Sequence, residues 1–215
     1  MRFSELRVGG ADPSTARRGI LEAAAHLRAG GLLVHPTSTL YGIGGRCTAE
    51  IDGLLAAIKG RPAGGRFVRL AADVAAAKAL LPAGSWDGRA ESLSRAFWPG
   101  SLTLVLEDGS PTGVAVRVDP EPFVRAVVTA FGEPISSTSV NRTGEPPAVE
   151  VAAVRRWLDA LEDPGCPVTF LNAGRRLAGV PSTILSLRER PARLVRAGAV
   201  PRASLAECLE EEVVS

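Results

Sequence analysis

The chain has 215 residues, of which 46% are apolar, so it can bury a core of its own, and its length suits one domain better than two. No run of about 18 apolar residues is present and the first residues lack a signal-peptide segment, so we expect a cytoplasmic protein without a membrane span. Three scattered cysteines and two histidines favour neither a disulfide framework nor a protein-built metal site. The net charge of +2 permits anionic partners but does not indicate a nucleic-acid binder.

Helices and strands alternate in the predicted element order. Asp12 and Pro13 are typical of a helix start, and Gly30 ends the first predicted helix, 15–29. The apolar run 31–34 that follows predicts a buried strand. Further helices are predicted over 49–58, 72–80, 87–97, 122–131 and 151–161, and a last one starts near Pro201. Further strands are predicted over 67–70, 102–107, 114–118, 168–171, 183–187 and 193–196, with another that starts near 135 and ends in hydroxyl-rich residues.

One pair of predicted strands decides the kind of sheet. The stretches 102–107 and 114–118 alternate apolar and polar residues and are separated by turn residues, which is the pattern of a β-hairpin. A hairpin adds antiparallel pairing to a chain whose helices and strands otherwise interleave. The predicted fold class is therefore α/β of the α+β type, with helices flanking a mixed sheet. The acidic run 210–212 is most simply a solvated tail.

The first candidate ligand site is the stretch 35–45, HPTSTLYGIGG, directly after the first predicted strand. Pro36 prevents the strand ladder from continuing, so we predict a loop at a strand end, where α/β sheets collect ligands. Gly42, Gly44 and Gly45 would let the backbone approach a ligand closely. A simple turn in which serine and threonine bond to the backbone is an equally good interpretation of the loop alone.

The stretch KGRP, 59–62, places two cations two residues apart beside a glycine. Lys59 and Arg61 suit a polyphosphate, because each charge-assisted contact to a phosphate contributes roughly 1.5–3 kcal/mol. The alternative is a solvated helix C-terminus, where the helix dipole favours cations. Lys59 and Lys78 are the only lysines among 25 basic residues. We expect Lys78 to be a solvated surface charge.

Four further stretches carry polar groups at predicted strands. Ser139 and Asn141 in STSVNRTG offer a hydroxyl and an amide on one side of a strand, although this stretch taken alone favours an Asx turn into Gly144. Arg117 lies between valines and is expensive to bury without an anionic partner. The stretches GVPSTI, 179–184, and RAG, 196–198, mark two more strand boundaries. Neither a Walker A motif nor a GxGxxG motif is present, so neither of those nucleotide sites is predicted.

Seven stretches in chain order resemble the YrdC-like family, threonylcarbamoyl-AMP synthases that make the activated intermediate for threonylcarbamoyladenosine at position 37 of tRNA. HPTSTLYGIG resembles the family's PTDTVYGLG, IKGRP its KxR, and SSTSVNRTG its SxN motif; FWPGSLTLVL, VAVRV, PSTI and VRAG match the remaining motifs. The resemblance implies a YrdC-like domain over 10–200 with a twisted mixed sheet and a large concave cavity lined by positive charge. A C-terminal helix and acidic tail follow over 201–215, as in the short, single-domain form of the family.

The resemblance also implies roles for individual residues. The catalytic positions would be Lys59, Arg61, Ser139 and Asn141, which also bind ATP together with Thr138 and Arg196. Threonine and bicarbonate would be held by Thr37, Thr39, Tyr41, Arg117 and Ser182. Mg²⁺ would enter with ATP as part of the substrate, without a metal site built by the protein. Partners implied are L-threonine, bicarbonate, ATP, tRNA or double-stranded RNA, and the downstream tRNA threonylcarbamoyltransferase complex, with no membrane.

The sequence departs from the family pattern at several positions. Ser38 stands where an acidic residue is usual, Ser101 where a proline is usual, and Ser186 where an aspartate is usual. After KGRP the family runs into a PL dipeptide, often preceded by a basic residue or histidine, whereas this chain has Gly65, Arg66 and Phe67. These departures affect the amino-acid side of the site more than the nucleotide side.

Two alternative functions remain open from the sequence. The chain could be an RNA- or tRNA-binding module without synthesis, or a relative that handles a different carbamoyl-adenylate. The intact KxR and SxN motifs favour the enzyme, because RNA binding does not need that phosphate-binding arrangement.

Overall fold

A computed structural model describes residues 3–61 and 67–215 of the chain. The helices of this described part are α1 (Pro13–Arg28), α2 (Ala49–Lys59), α3 (Val74–Lys78), α4 (Gly88–Phe97), α5 (Pro122–Phe131), α6 (Val151–Asp159) and α7 (Arg202–Leu209). Its strands are β1 (Ser4–Arg7), β2 (Leu32–His35), β3 (Gly42–Arg46), β4 (Val68–Leu70), β5 (Leu102–Leu106), β6 (Val114–Arg117), β7 (Ile135–Ser139), β8 (Val168–Asn172), β9 (Thr183–Ser186), β10 (Ala192–Arg196) and β11 (Val213–Val214). Within these ranges no helix is both long and apolar enough to cross a membrane.

The strands form one mixed sheet in the order β1-β8-β2-β3-β7-β4-β6-β5-β9-β10-β11. Antiparallel pairs join β2 to β3, β3 to β7, β7 to β4, β6 to β5, and β9 to β10. The remaining neighbours are parallel. The predicted hairpin is the β5–β6 pair, and the predicted α/β class with a mixed sheet is confirmed.

Helices cover the sheet through three apolar clusters. Helices α2 and α6 pack on β2 and β3, while α1 and α5 pack against the opposite face of the same region. Helices α3, α4 and α7 pack on β5, β6 and β9. Each cluster has a centre of aliphatic and aromatic side chains that are almost fully buried, so burial of apolar area fixes each helix to its part of the sheet.

The ends of α2 follow the local signals in the sequence. The Thr48 side chain accepts a hydrogen bond from the amide of Ile51 at the start of the helix. Gly60 ends the helix with φ 62°, a left-handed conformation that favours glycine. Lys59 is therefore the last residue of α2, one position beyond the predicted end of this helix.

The prediction of a continuous loop over 35–45 is wrong, because β3 occupies its second half. Gly44 pairs with Ser137 of β7, and a Cβ atom at this position would lie 1.9 Å from the carbonyl oxygen of Ser136. Glycine here permits close approach of β7, not of a ligand. The loop itself is restricted to 36–41.

The prediction that the acidic run is a solvated tail is wrong for Glu211, whereas Glu210 and Glu212 are exposed. The carboxylate of Glu211 accepts hydrogen bonds from Arg89 and from the backbone amide of Ala192. Just after it, β11 pairs in parallel with β10. Residues beyond α7 therefore continue the sheet, because Glu211 and Val213 have partners in it.

Candidate functional site

Strand ends and loops surround a cavity of about 430 Å³. The residues predicted from sequence to form the site line this cavity with one exception, Tyr41; those that line it are Thr37, Thr39, Lys59, Arg61, Arg117, Thr138, Ser139, Asn141, Ser182 and Arg196. The polar loop after β2 and the end of β7 both contribute side chains to the cavity wall, because β2, β3 and β7 are neighbours in the sheet. The cavity therefore brings together segments more than 150 residues apart in sequence.

Lys59 is buried in the wall of the cavity, with only 1% of its surface exposed. Its Nζ lies 3.2 Å from Ser139 Oγ and 2.9 Å from the Ser139 carbonyl oxygen. It also lies 2.5 Å from Asn141 Oδ1 and 2.7 Å from the Asn141 carbonyl oxygen. The Ser139 hydroxyl donates to Asn141 Oδ1 at 2.5 Å. Through these contacts to Ser139 and Asn141, Lys59 holds the SxN segment in its conformation.

Burial changes the acid–base behaviour of Lys59. It lowers the pKa of Lys59 to about 8, the Arg61 charge acts in the same direction, and the Glu145 charge opposes it. The four oxygen contacts keep the ammonium form satisfied in spite of the burial. The result is a cation with a fixed position at the cavity wall.

Arg61 is held beside this cluster by Thr143. The Arg61 Nε donates to Thr143 Oγ1 at 3.1 Å, and that hydroxyl donates to the Lys59 carbonyl oxygen at 2.8 Å. Side-chain hydrogen bonds therefore link the KxR and SxN segments in two places. One set is made by Lys59 Nζ, and the other runs through Thr143 to Arg61 and to the Lys59 carbonyl oxygen. Together the two segments place two cations and two neutral polar groups at one end of the cavity, an arrangement that suits phosphate oxygens.

A buried arginine was expected to need an anionic partner, and the partner of Arg117 is Asp119 of the same chain. The Arg117 Nη2 lies 2.6 Å from Asp119 Oδ2, and both side chains are almost fully buried. Nη2 also donates to Ser38 Oγ at 2.8 Å, while Nε donates to the Gly100 carbonyl oxygen at 2.9 Å. Burial lowers the pKa of Arg117, Asp119 opposes this effect, and the nearby Arg196 charge adds to it.

Arg196 contributes a second guanidinium from β10. Its Nη2 donates to Ser182 Oγ at 3.0 Å and to the Ser182 carbonyl oxygen at 2.8 Å. The Ser182 hydroxyl also lies 3.0 Å from Thr103 Oγ1. Among the described residues Arg196 has no carboxylate partner, and burial lowers its pKa. This guanidinium is therefore available to an anionic ligand.

The loop after β2 is ordered by its own hydroxyl groups. Thr37 Oγ1 donates to the Leu40 carbonyl oxygen at 2.6 Å and lies 3.0 Å from Thr39 Oγ1. Tyr41 does not line the cavity, because its side chain is buried against Phe170 and its hydroxyl donates to the Arg175 carbonyl oxygen at 2.9 Å. Tyr41 is thus outside the cavity lining, and its predicted help in holding the amino acid stays a prediction.

Some of the residues that depart from the family pattern lie at the cavity, and others lie away from it. Ser38 Oγ lies 3.4 Å from Ser101 Oγ, so these two departures are in contact with each other beside Arg117. Ser186 donates to Glu189 at 2.8 Å and does not line the cavity. Phe67 is buried and lines it, whereas positions 65 and 66 lie outside the described residues.

Asp119 is a functional-site residue that the sequence reasoning missed. Besides its ion pair with Arg117, its Oδ1 accepts the amide N–H of Ser38 at 2.8 Å and that of Glu121 at 2.9 Å. It therefore joins the end of β6 to the hydroxyl-rich loop. The only sequence signal was its place two residues after a buried arginine. The described residues contain no group of three or more metal-ligating side chains, at this site or elsewhere.

The fold and the cavity define an α/β protein with a cation-lined pocket at the ends of strands in a mixed sheet. A family model for Sua5/yciO/yrdC, described as telomere recombination, matches residues 25–198. The chain belongs to this family.

Named relatives agree with the family assignment. A threonylcarbamoyl-AMP synthase of Chromohalobacter salexigens is 36% identical over 79% of this chain and 92% of its own length. A putative threonylcarbamoyl-AMP synthase of Mycobacterium leprae is 35% identical over 93% of this chain and 91% of its own. The crystal structure of P. abyssi Sua5 complexed with L-threonine superposes with a TM-score of 0.80 at 25% identity over 100% of this chain. The chain spans 63% of the length of that P. abyssi protein.

Proposed function

We propose that this chain is a threonylcarbamoyl-AMP synthase, a nucleotidyltransferase that makes L-threonylcarbamoyladenylate and pyrophosphate from L-threonine, bicarbonate and ATP. The observation that carries the proposal is the buried Lys59, held by Ser139 and Asn141 beside Arg61 in the wall of the cavity. The names of the Chromohalobacter and Mycobacterium relatives support it. So does the L-threonine bound to the P. abyssi protein.

The proposed reaction has two bond-forming steps. The amine of threonine adds to bicarbonate to give an N-carboxylate and water. An oxygen of the N-carboxylate then attacks the α-phosphorus of ATP, and the bond to the leaving pyrophosphate breaks. The chain supplies no covalent intermediate in this scheme, so its contribution is positioning and charge stabilisation.

The nucleotide end of the cavity would be formed by the Lys59 cluster. Lys59 and Arg61 would neutralise the phosphates and the leaving pyrophosphate, while Ser139 and Asn141 would bind phosphate oxygens. Lys59 already contacts four oxygens, so a phosphate that binds it must replace at least one of them. Mg²⁺ would enter with ATP as part of the substrate.

The other end would hold the amino acid and bicarbonate. The resemblance assigns Arg196 to ATP, but its guanidinium donates to Ser182, a residue predicted to hold threonine. It has no carboxylate partner among the described residues, so we propose that it binds the carboxylate of threonine or bicarbonate instead. Arg117 is neutralised by Asp119, so its role there would be to donate hydrogen bonds to neighbouring hydroxyls and to ligand oxygens. Thr37, Thr39 and Ser182 line the same region.

Burial of two of the four cavity cations favours an enzyme over an RNA-binding module, although Arg61 and Arg196 are exposed. Lys59 is 1% exposed and Arg117 is 4% exposed, so a duplex surface cannot contact them. Direct binding of tRNA or double-stranded RNA, a downstream tRNA threonylcarbamoyltransferase partner and a cytoplasmic location stay predictions. A relative that uses another carbamoyl-adenylate would share the nucleotide end and differ at the amino-acid end.

Pyrophosphate release tests the proposal. The purified chain should release pyrophosphate from MgATP only when L-threonine and bicarbonate are both present. Equal release without bicarbonate would contradict the N-carboxylate mechanism. Omission of threonine, with bicarbonate retained, is the matched control for unspecific ATP hydrolysis.

A further inference from the structure

His35 is completely buried and contacts Ser137, a residue that lines the cavity. His35 is the last residue of β2 and pairs with Gly42 of β3. Gly42 and Gly44 lie on the same face of the sheet, because side chains alternate along a strand. With no side chain in the way, the imidazole crosses β3 to Ser137 on β7. A Cβ atom at Gly42 would lie 2.8 Å from His35 Cε1 and 2.9 Å from Ser137 Oγ, so glycine is needed for this contact.

The two hydrogen bonds of His35 define its tautomer. Nδ1 lies 3.2 Å from the Pro36 carbonyl oxygen, which can only accept, so Nδ1 carries the hydrogen. Nε2 lies 3.1 Å from Ser137 Oγ. Burial lowers the pKa of His35 to about 4, against the smaller opposing effects of the Pro36 carbonyl and the Asp119 charge, so the ring is neutral near pH 7. Nε2 is therefore an acceptor and the Ser137 hydroxyl must donate to it.

This arrangement gives Ser137 a fixed polarity. Ser137 lines the cavity, whereas His35 does not. Because the hydroxyl hydrogen is directed at the imidazole, only the oxygen lone pairs are left for a ligand. Lys59, Arg61 and Arg196 are donors and suit anions, whereas Ser137 is suited to a ligand group that donates.

We propose that His35 is a positioning residue that fixes the Ser137 hydroxyl as a hydrogen-bond acceptor, and that Ser137 Oγ receives the amino group of the amino-acid substrate. The identity of this ligand rests on the proposed function: among threonine, bicarbonate and ATP, the amino group of threonine is the cationic donor. The ammonium must lose a proton to solvent before its nitrogen can add to bicarbonate. The neutral amine keeps N–H groups, so the same contact would orient it for that addition. His35 itself does not touch the substrate in this proposal.

Imidazole ¹⁵N spectroscopy on the full chain tests the tautomer without any need for turnover. The chain has only two histidines, and His26 provides an internal reference because its Nε2 faces the Leu32 carbonyl oxygen at 2.9 Å. At pH 7 we expect a hydrogen on Nδ1 but not on Nε2 of His35, whereas Nε2 of His26 should carry one. Addition of L-threonine should shift the His35 Nε2 resonance, and Ser137→Ala should abolish that shift. A hydrogen on Nε2 of His35, or a positively charged ring, would overturn the proposal.

Calorimetric titration of L-threonine tests the role. Loss of one hydrogen bond to a charged group predicts that Ser137→Ala raises the Kd about tenfold or more. His35→Phe should raise the Kd in the same direction, and the double variant should bind no more weakly than Ser137→Ala alone. ATP affinity should stay unchanged in all three. Additive effects in the double variant would show that His35 does not act through Ser137.

Two controls keep the result interpretable. His35→Gln can offer an acceptor at the position of Nε2 and should restore threonine binding if His35→Phe impairs it; a failure of His35→Gln in a folded protein would count against the proposal. His26→Phe should leave the Kd unchanged, because His26 lies outside the cavity. Wild-type protein that binds L-threonine but releases no pyrophosphate would overturn the proposed function, while the Kd series would still decide the role of His35.

Discussion

Substitution of Lys59 by arginine tests whether the site needs a compact ammonium or only a positive charge. The Lys59 Nζ lies between 2.5 and 3.2 Å from four oxygens of Ser139 and Asn141. Its side chain is 1% exposed. A guanidinium is planar and broader, with donors in a fixed fork, so it cannot place its N–H groups at the same four oxygens. Arginine must therefore displace the SxN segment or leave some of these hydrogen bonds unmade.

The expected magnitude follows from the hydrogen bonds that arginine leaves unmade. One charge-assisted hydrogen bond contributes roughly 1.5–3 kcal/mol. If that hydrogen bond is made in the transition state, Lys59→Arg lowers kcat by at least about tenfold, since about 1.4 kcal/mol corresponds to one factor of ten. Pyrophosphate release at saturating ATP, threonine and bicarbonate measures this. Thermal unfolding of the same preparation separates a catalytic loss from a folding defect.

Lys78→Arg is the matched control, because Lys78 is the other lysine of the chain. Lys78 is at the surface, as expected, and its Nζ lies 2.8 Å from Glu91 Oε2 and 5.0 Å from the ring centre of Trp86. Its side chain is 41% exposed, and arginine can replace it in both contacts. Kinetics close to wild type for both variants would refute the reasoning about Lys59.

The remaining predictions concern charge and packing. Because burial lowers the pKa of Lys59 to about 8, its ammonium form is lost as the pH rises through that value, and kcat/KM for ATP should fall about tenfold per pH unit above it; a flat profile to pH 10 would contradict this. Asp119→Asn removes the counter-charge of a buried guanidinium and should lower the free energy of unfolding by about 3–5 kcal/mol in urea titrations; a change below 1 kcal/mol would show that the ion pair is dispensable. Gly44→Ala should strongly destabilise the fold, because the new Cβ would lie 1.9 Å from the Ser136 carbonyl oxygen, whereas Gly53→Ala in α2 has free space and should stabilise it by up to about 1 kcal/mol. Equal unfolding temperatures for the two alanine variants would be inconsistent with the strand pairing.

Local signals in the sequence were sufficient to place Lys59. Thr48 and Gly60 define the ends of α2 through interactions that involve only neighbouring residues, so the position of Lys59 on the last turn was predictable. The hydroxyl-rich ends of β2 and β7 were predictable for the same reason. Their convergence on one cavity followed from the resemblance to the family, and residues from both strand ends line that cavity.

Features that depend on contacts between distant segments were not predictable. The glycines of β3 indicate a loop by local propensity, yet the strand forms because β2 and β7 pair with it on both sides. Asp119 is close to Arg117 in sequence, but it joins β6 to the hydroxyl-rich loop only when the fold brings Ser38 to it. Tyr41 belongs to the same motif as Thr39 but turns to the opposite side, where it packs on Phe170. The spacing of residues along the sequence does not predict these contacts between segments.

Mass analysis of the nucleotide product tests the central claim most directly. The wild-type chain is incubated with MgATP, L-threonine and either ordinary or ¹³C-labelled bicarbonate, and the products are separated before they hydrolyse. The proposed reaction predicts an adenylate that contains threonine and becomes one mass unit heavier with labelled bicarbonate, formed together with pyrophosphate. Formation of ADP and phosphate, or of an adenylate whose mass is unaffected by the label, would contradict it.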